Sequence, residues 1–179
     1  DFNQLPPSRQ SKEAPQMIKN IFGKTGENVW VEAPFHCDYG WNIEVGENFY
    51  SNYNLTILDV GKVTCGKNVQ IAPNVSIYTA GHPVHPDSRN SGYEYGIPVT
   101  VGDNVWIGGN TVILPGVTVG SNVVIGAGSV VSKDIPDNTI AAGNPCKVIR
   151  KITDEDRIYY FKKQKFDDEA WEEVKNKNK

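Results

Sequence analysis

The sequence predicts an all-β fold: a parallel β-helix of hexapeptide repeats, with short helices at its two ends and one long excursion loop. Three observations carry this. Val101 to Pro136 divides into sixes, V-G-D-N-V-W, I-G-G-N-T-V, I-L-P-G-V-T, V-G-S-N-V-V, I-G-A-G-S-V, V-S-K-D-I-P, with Val101, Ile107, Ile113, Val119, Ile125 and Val131 in one column. Neither the helix nor the strand period produces that spacing, whereas a hexapeptide solenoid does. Val105, Thr111, Val117, Val123 and Ser129, four places after column residues, are small or β-branched, as a narrow lumen of parallel strands requires. Finally, the tripeptide G-x-N begins at Gly26, Gly46, Gly66, Gly102 and Gly120; the last interval is 18 residues, one coil of three hexads, and the first two are 20, one coil with a two-residue insertion. The spacing predicts about five coils. Glycines at 102, 108, 120 and 126 fit corners that need positive φ or close backbone approach, with Asn104 and Asn122 next best suited to the left-handed region. A β-sandwich with glycine turns is the competing architecture, but it has no reason to keep an unbroken period of six.

Taken in order, residues 1–27 read as an N-terminal arm and short helix. Asp1 to Gln10 is polar and proline-bearing, which predicts an extended arm; from Pro15 to Phe22, Met17, Ile18, Ile21 and Phe22 recur at helical spacing and predict a short amphipathic helix ending at Gly23. Residues 28–152 form the repeat domain, in which Cys65, Ile71 and Ile77 also keep the six-period. Its one break, the loop 79–98, carries the densest run of proline, histidine and charge. A loop this long in a compact repeat is usually functional or disordered, and its His-Pro and Pro-Asp turns predict an ordered excursion. An irregular last coil, D-N-T-I-A-A-G-N-P-C-K-V-I-R-K-I, closes the lumen. In residues 153–179, Thr153 and Asp156 resemble a capping box, Ile158, Phe161 and Trp171 offer packing for a helix or two, and Lys175 to Lys179 reads as a frayed tail.

A chain of 179 residues with 39% hydrophobic content suits one domain with a continuous core. Its net charge of −3 argues against nucleic acid or an anionic membrane as the main partner. No apolar run reaches the length of a membrane span, and no signal-peptide pattern opens the chain. Cys37, Cys65 and Cys146 are odd in number and far apart, which fits reduced, mostly buried thiols in a cytoplasmic protein.

The runs N-F-Y-S-N-Y-N, T-A-G-H-P-V-H-P, V-G-D-N-V-W-I-G-G, I-G-A-G-S-V-V-S-K-D-I-P and A-G-N-P-C-K-V-I-R-K-I together resemble the maltose and galactoside O-acetyltransferase family, from about Gly26 to Ile152. The resemblance implies a left-handed β-helix, a homotrimer, acetyl-CoA as donor, no required metal, and active sites in grooves between subunits. The loop sequence D-S-R-N-S-G and the C-D-Y-G run tilt the likeness toward the maltose branch. That family carries an acidic acceptor-binding residue in a helical segment ahead of the matched region, so these residues constrain the acceptor only weakly.

Acetyl transfer from a thioester to a hydroxyl needs a base for the hydroxyl proton and donors for the tetrahedral oxyanion. The chain has three histidines, His36, His82 and His85. His82, fixed between Gly81 and Pro83, matches the family's catalytic histidine; His36 and His85 read as structural. Asn52 matches the family asparagine at the reacting centre, and Tyr50, Asp38 and Asp59 match acceptor-contacting positions. For the donor, Gly109 and Ala127 allow close approach of a pantetheine arm, Trp106 is placed either to wall the channel or to pack between subunits, and Ser132, Lys133, Lys147 and Arg150 match CoA-contacting positions where cations suit phosphates. Lys147 stands where an arginine is the family expectation, keeping charge without the bidentate fork. The alternatives are an acetyltransferase for another hydroxyl, such as an antibiotic or serine, a γ-class carbonic anhydrase with three zinc-binding histidines, and a non-catalytic hexapeptide scaffold.

Overall fold

A computed structural model describes residues 1–177. The chain winds as a three-sided prism whose faces are parallel sheets. Face I stacks Val29–Val31, Phe49–Ser51, Gln70–Ile71, Trp106–Ile107, Val124–Ile125 and Thr139–Ala142. Face II stacks Phe35–Cys37, Leu55–Leu58, Ser76–Tyr78, Val112–Ile113 and Val130–Val131, and face III stacks Ile43–Val45, Val63–Cys65, Val99–Val101 and Thr118–Val119. The chain visits the faces in the order I, II, III, so each coil has an edge I/II, an edge II/III and an edge III/I. Face I has six parallel rungs, one more than the five coils that the G-x-N spacing predicts.

The column residues line the lumen as predicted. Ile107, Ile113, Val119 and Val131 are 0% exposed, Val101 and Ile125 1%, and the residues four places on are equally enclosed, from Val105 at 1% to Ser129 at 0%. Burying such an aliphatic side chain contributes about 1.5–3 kcal/mol, so the stacked coils act as one continuous core. Burial also pushes the Cys65 thiol up to about 12 and the Cys37 thiol, beside Asp59 and Asp38, up to about 11, so both remain protonated at neutral pH.

The corners correct the sequence reading. On edge III/I positive φ belongs to asparagine: Asn48, Asn68, Asn104, Asn122 and Asn138 all lie between 55° and 59°, while Gly102, Gly108, Gly120 and Gly126 do not have positive φ, and corner glycines that do, such as Gly116 and Gly128, lie on the other two edges. Those glycines serve close approach instead; a Cβ on Gly102 would sit 2.7 Å from the Ser121 nitrogen on the next coil. Each corner asparagine donates its Nδ2 to the next one's Oδ1, at 3.0 Å from Asn48 to Asn68, 2.8 Å to Asn104, 2.9 Å to Asn122 and 2.9 Å to Asn138. Neighbouring side chains cap the same turns, as when Asp103 accepts the Lys67 amide and Asp137 the Ser121 amide, both at 2.7 Å.

The N-terminal arm is not extended. Phe2–Gln4 forms a 3-10 turn with Phe2 buried, and Asn3 grips Phe35 through two 2.8 Å bonds, one to its carbonyl and one from its amide. Helix α1 runs Pro7–Ile21, beginning eight residues before the predicted Pro15, with Pro6 and Pro7 at its start, where a missing N–H costs nothing. Ala14, Ile18 and Phe22 turn inward from it, and Phe22 meets Phe35 edge-on at 5.4 Å, so this segment closes the open end of the first coil.

At the other end, Lys147–Lys151 runs antiparallel to Thr139–Ala142, turning the last coil back on itself. The Thr153 capping box is present, but it opens a 3-10 turn, Asp154–Ile158, followed by the hairpin Tyr159–Phe161/Gln164–Lys165 and helix α3, here counted after the loop helix α2 (Pro86–Asn90), at Asp168–Lys177. Lys175 to Lys177 belong to α3, and the remainder of the predicted frayed tail lies outside the described residues. Phe161 is 55% exposed and packs little. Among the described residues no helix is long and apolar enough to cross a membrane.

The ladder makes a separable prediction at Asn104. Asn104→Gly keeps the left-handed turn and loses two amide bonds, about 1 kcal/mol each, whereas Asn104→Ala loses the same bonds and keeps a Cβ in that region without the polar side chain that lets asparagine tolerate it, a further cost of about 1–2 kcal/mol. Thermal melts should therefore rank wild type above the glycine variant and the glycine variant above the alanine variant; equal melts for the two variants would mean that corner conformation is not under selection by the fold.

Candidate active site

The excursion loop is an ordered stalk. Thr79, fully buried, donates its hydroxyl to the Leu58 carbonyl at 2.6 Å and accepts the Gly61 amide at 2.8 Å, fixing where the chain leaves the prism. Ile97 returns by donating to the Thr79 carbonyl at 2.8 Å, and Ala80–Gly81 pairs antiparallel with Tyr95–Gly96. At the tip, Arg89 donates to the Pro83 and Val84 carbonyls, and His85 caps α2 by accepting the Asp87 amide at 3.2 Å. His85 thus has the structural role expected of it, and His36 lies on the strand Phe35–Cys37 in face II.

His82 stands at the top of the stalk with its ring half-exposed. Its Nδ1 lies 3.0 Å from the Tyr93 carbonyl. A carbonyl only accepts, so Nδ1 carries the hydrogen and Nε2 keeps a free lone pair: the backbone selects the tautomer that a base requires. Glu94 places a carboxylate oxygen 3.9 Å from Nε2, close enough to offset the charge of an imidazolium. The sequence reading missed Glu94, since only the closing of the stalk brings it back over a histidine twelve residues earlier.

Asp38 belongs to the same cluster. Its carboxyl is pushed up first by burial and then by the charges of Asp59 and Glu94, and its turn lies on edge II/III, from which the stalk also leaves. Asp59 corrects its assignment as an acceptor contact: it is 0% exposed, and its two oxygens accept the amides of Asp38 and Tyr39 at 3.0 Å and of Gly40 at 2.7 Å. Asp59 therefore holds the turn that presents Asp38 and faces no solvent. Gly40 lets that turn form at φ +85° against Ile21. The turn also displays a stacked, exposed pair, Tyr39 and Trp41, with ring centres 4.9 Å apart.

Asn52 follows the face I strand Phe49–Ser51, and its Oδ1 accepts the Tyr53 amide at 2.7 Å, which leaves its NH₂ end as the available donor. Tyr50 and Trp106 are exposed on face I, Gly109 and Ala127 stack on edge I/II one coil apart, and Lys147 and Arg150 lie on the strand that extends face I. Asp38, Asp59, His82, Ser132 and Lys133 all lie on edge II/III. The residues singled out from the sequence thus fall into two stripes on one protomer, separated by the width of face II. Asn52 and His82 are on different stripes.

The family model "Bacterial transferase hexapeptide (six repeats)" matches residues 98–133. A galactoside O-acetyltransferase of Escherichia coli is 54% identical over 165 residues, covering 92% of this chain and 81% of that relative. Among solved structures, a galactoside acetyltransferase in complex with coenzyme A superposes with a TM-score of 0.89 at 55% identity, covering 93% of this chain and 82% of that one. A maltose O-acetyltransferase from Clostridium difficile superposes with a TM-score of 0.83 at 56% identity, covering 86% of this chain and 81% of that one. At such identity over most of its length, the chain belongs to the hexapeptide-repeat acetyltransferase family that includes the galactoside and maltose O-acetyltransferases.

Proposed function

We propose that this chain is an acetyl-CoA-dependent sugar O-acetyltransferase acting as a cytoplasmic homotrimer, with each active site built from two protomers. The observation that carries the reading is the split between two edges of the prism. A contact joining edge I/II of one protomer to edge II/III of the next is heterologous, and a three-sided body closes such contacts into a ring of three. In that ring Asn52, Gly109 and Ala127 of one protomer face His82, Ser132 and Lys133 of its neighbour.

The chemistry follows from the tautomer. His82 Nε2 takes the acceptor hydroxyl proton as the oxygen attacks the thioester carbonyl, forming the C–O bond. The Asn52 NH₂ end suits the developing oxyanion, and its fixed amide needs no reorganisation. When the C–S bond breaks, the proton passes from Nε2 to the departing thiolate. Glu94 offsets the imidazolium between these two transfers.

A sugar suits the acceptor side: Asp38 and Glu94 offer carboxylates to hydroxyls, and the Tyr39–Trp41 pair offers an apolar surface of the kind a sugar ring covers. The galactoside and maltose structures stand at 55% and 56% identity, so likeness alone does not choose between those acceptors. A screen of sugars, antibiotics and serine with acetyl-CoA, read by thiol release, tests the substrate class; turnover confined to antibiotics or serine would overturn it.

In the sugar reaction, His82→Ala should lower kcat by about a hundred- to ten-thousand-fold with acetyl-CoA affinity kept. A kcat near wild type would return His82 to a turn residue.

Lys147→Gln should raise KM for acetyl-CoA more than for the sugar, with the difference shrinking as salt is added. Equal changes in both KM values would make Lys147 structural.

A further inference from the structure

Two large aromatic rings stand exposed on the turn that carries Asp38. Tyr39 is 48% and Trp41 66% exposed, yet the rings stack with centres 4.9 Å apart and planes inclined by 29°. Each ring covers one face of the other and leaves its second face open. Among the described residues neither the Tyr39 hydroxyl nor the Trp41 indole N–H has a hydrogen-bond partner. A solvated turn has no need of two such rings side by side, and a core would enclose them.

The pair is held firmly. Asp59, itself 0% exposed, accepts the amides of Asp38, Tyr39 and Gly40 through its carboxylate, and its carbonyl accepts Asn42 Nδ2 at 2.7 Å, so the turn is tied on both sides of the rings. The end of α1 backs it: a Cβ on Gly23 would collide with the Trp41 carbonyl, and one on Gly40 would lie 2.6 Å from Ile21 Cγ2. A backbone fixed in this way presents its rings at little ordering cost when a ligand covers them.

The stalk rests on the same segment. Gly61 donates its amide to Thr79 at 2.8 Å, and a Cβ on the returning Gly96 would lie 2.8 Å from the Gly61 nitrogen, so the stalk leans on residues 60 and 61, directly after Asp59. His82, its neighbour Glu94 and the aromatic turn thus share one support on edge II/III. On face II two strand spacings, roughly 10 Å, separate the coil that launches the stalk from the coil that bears the turn. An acceptor that offers a hydroxyl to His82 and continues along the edge past Asp38 meets the aromatic pair with its next unit.

The chemistry of the pair says what that unit is. A pyranose carries C–H groups on its faces and hydroxyls around its rim. The open aromatic face suits the first, and the Tyr39 hydroxyl, the indole N–H and the Asp38 carboxylate suit the second. We infer that Tyr39 and Trp41 form a subsite for the sugar ring linked to the one that is acetylated, so that the chain selects a disaccharide over the corresponding monosaccharide. The inference rests on the sugar O-acetyltransferase reading above.

The test measures acceptor KM for two matched pairs, maltose with glucose and lactose with galactose. In at least one pair the wild type should show a KM about five- to tenfold lower for the disaccharide, the scale of one ring stacked on an aromatic face. Trp41→Ala should bring the ratio of the two KM values close to one, and Trp41→Phe, which keeps a ring, should keep most of the preference. If neither pair shows a preference in the wild type, or if Trp41→Ala weakens disaccharide and monosaccharide alike, the subsite is overturned while the acetyltransferase reading stands. If no sugar is acetylated, both readings fall together.

Discussion

The interaction on which the rest depends is the side-chain amide ladder that joins Asn48, Asn68, Asn104, Asn122 and Asn138. The three inner amides each donate to the next coil and accept from the one before, Asn48 only donating and Asn138 only accepting, and each asparagine holds its own backbone in the left-handed region. A left-handed residue at the corner turns the chain sharply enough for a short rung, and the shared bond fixes the next corner directly over it. Rungs kept in register bring like aliphatic residues over one another. The lumen is therefore a consequence of the corners as much as of hydrophobicity.

Fixed corners also fix where chemistry can be placed. A side chain on a coil edge repeats its direction one coil later, so Gly109 and Ala127 make a stripe and so do Asp38 and His82 with their neighbours. The excursion loop does not disturb this, since it leaves from the buried Thr79 and returns to it. Asn52 and His82 stand on different edges of the prism, so the proposed reaction, which needs them together, calls for a second copy. On the proposed function, the same rigid repeat that stabilises the protomer leaves its site to be completed by a second copy.

Most of this was legible in the sequence because a six-period leaves little choice about which residues face inward. The glycine corners were misread because glycine serves both positive φ and close approach, and a sequence does not separate the two; the asparagine two places after Gly102 was the better guide to φ. Asp59 carried a signal that motif resemblance overrode: it continues the inward alternation of Leu55 and Ile57, which predicts a buried carboxylate in need of amide partners. The helix start was hidden in Pro6-Pro7, read as part of an extended arm although proline is at home in a first helical turn. Glu94 had no local signal, because its place beside His82 comes from the pairing of Gly81 with Tyr95. The ion pair in which Arg150 donates to both Asp156 oxygens likewise depends on the last strand running antiparallel, which no hexad pattern announces.

The central claim is that each site is divided between two protomers, and subunit mixing tests it most directly. His82→Ala and Asn52→Ala chains, each nearly inactive alone, can be unfolded together, refolded as a mixture and assayed for acetyl transfer. In a shared site the intact Asn52 of one chain meets the intact His82 of another, so random assembly should restore about a quarter of wild-type activity. If both residues of a site come from the same chain, every site in the mixture keeps a defect, and activity no higher than that of the separate variants would contradict the account.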